Sequence, residues 1–291
     1  MKLSMWSSFY LAETPEDMVL KLLKGGFKYT ELSFEHSKIL MDRGPQAYAA
    51  FKTFMDDHGF ATPQGHLNFA ENTGGIPKAN VDLATWDEKL RRVSIDGWKR
   101  ELELFEAIGI ERAVLHPGGI AAFLRGEHTM AEVDELRLAG LNELLDFTAG
   151  MKVMICVENM TTGRYMSTSE SLLNFIHSAD RKNVGICLDT GHLNIRKMEE
   201  HDDFIRACGK DLQALHIADN NGGWDEHLMP FSGTVNWKKT VAALEEIGYD
   251  RLVNFEVPGS SWRICNGDAE LRDQFLPFAR LLGEKLFGGL K

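Results

Sequence analysis

A closed parallel (β/α)8 barrel, the TIM-barrel class, is the fold this sequence predicts, and three observations predict it. Short apolar runs alternate with amphipathic segments about eight times along 291 residues, and every parallel crossover needs a helix to cover the sheet. Ligand-type polar residues stand at the ends of several of these runs, and no GxGxxG follows the first of them, which disfavours an open doubly wound sheet with a single crevice. No linker, low-complexity tract or shift in composition marks a second domain, so residues 1–291 read as one barrel domain.

Taken in order, residues 3–9 are expected to form the first strand and 15–25 the first helix, with Met18, Leu20, Leu22 and Leu23 as its apolar stripe. A second strand over 29–34 carries Glu31 near its middle, and a helix over 45–58 is stopped by Gly59. Residues 62–69 make a weaker third strand bearing His66, followed by a long helix over 87–108 that Gly109 ends. The second half repeats the scheme more clearly: strand 112–116 ending in HPGG, helix 131–148, strand 152–158 ending in ENM, helix 169–178. In the sixth strand Val184, Ile186 and Leu188 alternate with small residues, as in a strand packed on both faces, and Asp189 arrives where the chain must turn. A helix over 199–208, a strand over 212–218, a loop of about 18 residues, a helix over 237–247, a strand over 252–257 and a closing helix over 270–287 complete the expected set.

Composition narrows the function. Lys and Arg total 32 against 43 Asp and Glu, for a net charge of −11; a duplex-binding protein shows phosphates a basic face, so nucleic acid is a poor default partner. The four cysteines, Cys156, Cys187, Cys208 and Cys265, have no paired short spacing and read as free thiols of a reducing compartment. Nothing approaches a run of about 18 apolar residues, and a soluble cytoplasmic protein without membrane contact is expected.

A barrel delivers the last residues of all its strands to one mouth. Those residues are His66, His116, Glu158, Asp189 with His192, His216 and Glu256, and the loop after the seventh strand adds Asp225 and His227 as a D-x-H. Each has an ordinary reading alone. Asp189 can cap the next helix with His192 in its first turn, His66 and His116 can be hydrogen-bonded core or loop histidines, and Glu158 can be a salt-bridge partner. Glu256 and His216, inside apolar strands, demand strong partners. Five of the ten histidines fall in this set, while His36, His58, His128, His177 and His201 fall on helices or surface loops. Imidazoles and carboxylates ringing one pocket repel one another or stay poorly solvated without a metal, so a divalent cation is the economical reading.

The segments VLHPGG, VENM, CLDTGH, LHIADN, WDEHLMPFSGTVNW and FEV occur in that order over most of the chain. In them the sequence resembles the xylose-isomerase-like barrel superfamily, which contains sugar and sugar-phosphate isomerases and epimerases together with apurinic endonucleases. The resemblance implies that Glu158, Asp189, His216 and Glu256 hold the main divalent ion, commonly manganese, magnesium, cobalt or zinc. It places His192 near the substrate or a further metal. It matches His66, His116, Asp225 and His227 to positions that complete a trinuclear zinc site in the endonuclease branch, several of which isomerase-like members also keep. Where many relatives have Pro-Gly-x-Gly after the D-x-H, this chain has Pro230-Phe231-Ser232-Gly233.

The expected chemistry is proton transfer next to the carbonyl of a sugar or sugar phosphate, with the metal stabilising an enediolate. Glu158 and Glu256 would face opposite sides of the substrate, one removing and one returning a proton, and His192 would orient a hydroxyl. His66, His116, Trp224 and His227 are candidate substrate contacts. Trp6, Phe9, Phe69 and Trp224 either pack on a sugar's apolar face or belong to the core. The Gly118-Gly119 pair offers backbone amides or merely a turn. A lyase acting on an oxidised sugar, a trinuclear-zinc endonuclease at abasic sites and a catalytically silent binding protein are the alternatives. A homo-oligomer is compatible with all of them.

Overall fold

The computed structural model describes residues 2–67, 82–118, 126, 128–161, 166–259 and 268–290. Eight parallel strands close into a barrel in sequence order: β1 Lys2–Met5, β2 Tyr29–Leu32, β3 Ala61–His66, β4 Arg112–Leu115, β5 Met154–Glu158, β6 Val184–Asp189, β7 Leu212–Ile217 and β8 Leu252–Phe255. Closure is made by β8 on β1, in register from Lys2 opposite Leu252 to Met5 opposite Phe255. The predicted single (β/α)8 barrel is the observed fold.

Its helices are α1 Pro15–Lys24, α2 Phe34–Arg43, α3 Pro45–Asp57, α4 Glu88–Ile108, α5 Met130–Phe147, α6 Ser169–Ser178, α7 Thr190–Asn194, α8 His201–Cys208, α9 Trp237–Glu246 and α10 Ala269–Phe287 among the described residues. Their starts follow local chemistry. Thr14 caps α1 ahead of Pro15, Asp87 caps α4 by accepting from Leu90 N, and Thr129 with Glu132 forms a capping box on α5. Gly109, at φ 89°, takes the left-handed cap that ends α4.

Two expectations need correction. The first strand stops at Met5, and Ser7–Tyr10 form a turn of 3-10 helix instead of strand. The second stops at Leu32, and α2 follows at once, in a stretch expected to be a connection. Of its sequence FEHSKILMDR the buried residues are His36, Ser37 and Leu40, so no apolar stripe announces it. The third strand ends at His66, and Phe69, like Gly119 and Cys265, lies outside the described residues.

Alternate strand residues face the helices and the barrel interior. Met5, Leu32, Leu115, Val157, Leu188, Leu215 and Phe255 are buried in the main core. Val114, Cys156, Cys187 and Ala214, with Met154 against them, form a separate inner cluster of mostly small side chains. The opposite wall is polar: Ser4 Oγ donates to Asn254 Oδ1 at 2.7 Å, and Gln64 donates its amide to Glu31. On the outer face, Gly65 of β3 lets α4 close in, since a Cβ there would lie 2.7 Å from Phe105 Cζ. Burial of one such ring stabilises by about 2–3 kcal/mol, which a side chain at position 65 would forfeit.

Candidate metal centre

Four strand ends build the centre of the mouth. Glu158 closes β5, Asp189 closes β6, His216 is the fifth residue of β7 and Glu256 follows β8 by one residue. One donor atom from each lies within 4.8 Å of all the others. His216 Nδ1 is 2.7 Å from Glu256 Oε2, 3.5 Å from Glu158 Oε1 and 3.9 Å from Asp189 Oδ2. Those four atoms, Glu158 Oε1, Asp189 Oδ2, His216 Nδ1 and Glu256 Oε2, are all buried and all lack a hydrogen-bond partner. Buried polar atoms normally find partners. Four that fail to do so while converging on one point, in a set of three carboxylates and an imidazole, fit a divalent cation.

Asp189 shows why its capping role and its site role do not compete. Oδ1 accepts from His192 N at 2.6 Å and caps α7, while Oδ2 is left to the centre. Its backbone is pinned from β5: Asp189 N donates to Asn159 Oδ1 at 2.7 Å, and Asn159 Nδ2 donates to Asp189 O at 3.0 Å.

The remaining predicted residues form an outer set around the first. Glu158 divides its oxygens, Oε1 facing the centre and Oε2 facing His66 Nε2 at 3.3 Å and His116 Nε2 at 3.1 Å. His192 spans Glu158 Oε1, 3.1 Å from its Nδ1, and Asp225 Oδ2, 3.2 Å from its Nε2. Asp225 Oδ2 is also 2.9 Å from His227 Nε2, and His227 Nδ1 donates to Glu256 O at 2.9 Å. Nδ1 also lies 2.8 Å from Asn159 O, so both ring nitrogens of His192 meet protein acceptors while Glu158 Oε1 keeps no hydrogen bond. All nine predicted donors share one connected site.

The aromatic candidates separate. Phe9 is buried and stacks on Phe275 with centroids 6.1 Å apart, so it belongs to the core. Trp224 is 60% exposed on the loop beside Asp225. Trp6, half-buried, leaves Nε1 without a partner at the end of β1. Gly118 takes φ 68° with Asp82 packed against it, as a turn residue does.

Sequence reasoning missed three supporting residues. Asn159 is the clamp described above. Asp219, buried just past β7, accepts from Asn220 N and Val235 N on Oδ1 and from Phe231 N and Trp237 Nε1 on Oδ2, fixing both ends of the loop that carries Asp225 and His227. Glu31 accepts from His216 Nε2 at 2.8 Å inside the barrel. A carboxylate in a short apolar strand is the signal that singled out Glu256, and it applied equally to Glu31.

Electrostatics follow from this crowding. Burial lifts the Asp189 carboxyl to about 7, against the opposing pull of His192. Burial acts the same way on Glu158 and Glu256, yet imidazole charges, from His116 and His216 on the first and His216 on the second, outweigh it and hold both low, Glu256 at about 2. Burial would lower His66, but its contacts with Glu158 raise it to about 9. Glu158 and Glu256 stay charged in the buried mouth because positive charge is kept beside them.

The family model described as xylose isomerase-like TIM barrel matches residues 19–277. The chain belongs to this family. A ketose 3-epimerase from Arthrobacter globiformis is 33% identical over 268 residues, covering 88% of this chain and 82% of the relative. A probable endonuclease 4 from Mycoplasma pneumoniae is 29% identical over 79% of this chain and 73% of its own. An uncharacterised protein from Methanocaldococcus jannaschii is 29% identical over 183 residues, a match that spans only 62% of either chain. Among solved structures, a D-tagatose 3-epimerase-like protein superposes with a TM-score of 0.78 at 21% identity, covering 99% of this chain and 97% of that one. The IOLI protein with a bound zinc atom gives 0.76 at 18% identity, over 100% and 99%. At such identities the structural likeness speaks for the shared fold.

Proposed function

We propose that this family member is a divalent-metal-dependent epimerase or isomerase of a sugar or sugar phosphate, working by proton transfer at the carbon beside a carbonyl. The convergence of four unpartnered buried donors, Glu158 Oε1, Asp189 Oδ2, His216 Nδ1 and Glu256 Oε2, carries the reading, and the ketose 3-epimerase relative supports the reaction class. These four residues would hold manganese, magnesium, cobalt or zinc, and a cation there supplies the positive charge that acidifies a carbon next to a carbonyl.

The protein's own groups divide the remaining work. Glu256 has 9% of its side chain exposed against 1% for Glu158, so it is the better placed to take a proton from a bound substrate. Glu158, from the far side of the ring, returns one, since removal and return at opposite faces inverts a carbon. His192, tied to Glu158 and Asp225, holds the carboxylates in place. Trp224, beside Asp225, offers an exposed ring at the rim for the apolar face of a sugar.

Incubation with candidate ketoses in deuterated water tests this directly. Deuterium should enter the substrate at the epimerised carbon, stop when a chelator strips the metal, and resume with manganese or cobalt. Full turnover in a metal-free preparation removes the reading.

One observation favours a second reading. The outer set gives Glu158 Oε2 two imidazoles and gives Asp225 two more, the donor supply for three zinc ions that the endonuclease branch uses, and the endonuclease 4 relative fits it. A net charge of −11 opposes it. Three zinc ions per chain together with nicking of an abasic duplex would establish it over the epimerase.

A further inference from the structure

We propose that Glu31 is a positioning residue for the cation site: from β2 it locks the imidazole of His216 into the orientation and tautomer that turn Nδ1 toward the three carboxylates. The inference rests on the metal reading above and goes beyond it, because Glu31 touches none of the other proposed ligands in the centre.

The observations are geometric. Glu31 is fully buried. Its Oε2 lies 2.8 Å from His216 Nε2 and also accepts the side-chain amide of Gln64, its neighbour across the β2–β3 pairing. With a cation on Nδ1 the ring is neutral and keeps its one hydrogen on Nε2, where the Glu31 carboxylate accepts it. The lone pair is then on Nδ1, the atom that faces Glu256 Oε2 at 2.7 Å, Glu158 Oε1 at 3.5 Å and Asp189 Oδ2 at 3.9 Å. Turned over, the ring would put a hydrogen where the cation belongs.

A purely structural role accounts poorly for the residue. Burying a carboxylate is costly without strong partners, and Glu31 Oε1 has no partner at all. The neighbouring inner cluster of Val114, Cys156, Cys187 and Ala214 shows that this barrel fills its interior with apolar side chains elsewhere. What the carboxylate adds here is a fixed, electron-rich support behind one metal-facing imidazole, the arrangement by which outer partners orient and strengthen histidine ligands.

The test compares wild type, Glu31→Gln and Glu31→Leu, each titrated with Co²⁺ alone by calorimetry, with ¹⁵N-histidine spectra of the zinc-loaded wild type beside them. Glu31→Gln keeps an acceptor for Nε2 and should bind Co²⁺ within about tenfold of wild type. Glu31→Leu removes it and should bind about 10–100-fold more weakly, with its circular dichroism unchanged. The spectra should show the His216 hydrogen on Nε2, a result that needs no variant to fold. Equal Co²⁺ affinity in Glu31→Leu, or a hydrogen on Nδ1, overturns the inference while leaving the metal reading standing. Failure of the wild type to take up Co²⁺ overturns both.

Discussion

His36 and His216 are both fully buried imidazoles on the same barrel, and they are opposites. His36, in α2, meets the hydroxyls of Ser7, Oγ at 3.1 Å, and Ser33, Oγ at 3.2 Å, and burial pushes it down to about 4. His216 is buried as deeply, yet the surrounding negative groups, Glu256, Glu31 and Glu158 among them, hold it well above its ordinary value. Burial alone neutralises a histidine. A buried histidine becomes a candidate for chemistry when carboxylates are buried with it, so the donors must be read as a set.

The largest effect should come from breaking the carboxylate side of this contrast. Glu256→Gln is expected to lower turnover at least 10³-fold, about 4 kcal/mol of barrier, with circular dichroism and thermal midpoint close to wild type. Near-normal rates would remove Glu256 from the chemistry.

Acid probes the other side. With a folded value of about 4 against 6.5 unfolded, neutral His36 contributes its full stability above pH 6.5 and loses it as pH falls toward 4. The lost contribution is about 3 kcal/mol. Unfolding in urea at pH 7 and pH 4 should show wild type losing that much more than His36→Gln; equal losses would mean the ring is charged in the folded protein.

A smaller effect sharpens the boundary between inner and outer donors. Asp225→Asn leaves the four central atoms in place and loosens His192 and His227, so activity should fall about 10–100-fold while one tightly bound metal per chain persists in elemental analysis. Loss of that last ion would move Asp225 into the inner set.

How much of this was legible in the sequence depended on where residues stood relative to strand ends. Asp189, Glu158 and Glu256 follow runs of apolar residues, and barrel geometry makes strand exits converge whatever the loops do. Glu31 escaped because its strand has four residues and it stands third, inside the barrel and not at the rim. His36 and His201 read as background on their helices, and burial makes them core instead. Sequence carries no periodic signal for α2, whose inward face is His36, Ser37 and Leu40, so nothing hinted that a polar side chain there would be enclosed. Asp219 was visible as a letter in LHIADN, but the grip of one carboxylate on four donors spread over residues 220–237 exists only after folding.

In the loop after the D-x-H, Phe231 holds φ at 72° and is 64% exposed. That torsion costs a side-chain-bearing residue about 1–2 kcal/mol, and Phe231 N is tethered to Asp219 from beneath. The path of the rim is thus dictated by its anchor and not by the preferences of the residues along it. A change of side chain at Phe231 would therefore alter the outward face of the loop without releasing the backbone that Asp219 holds.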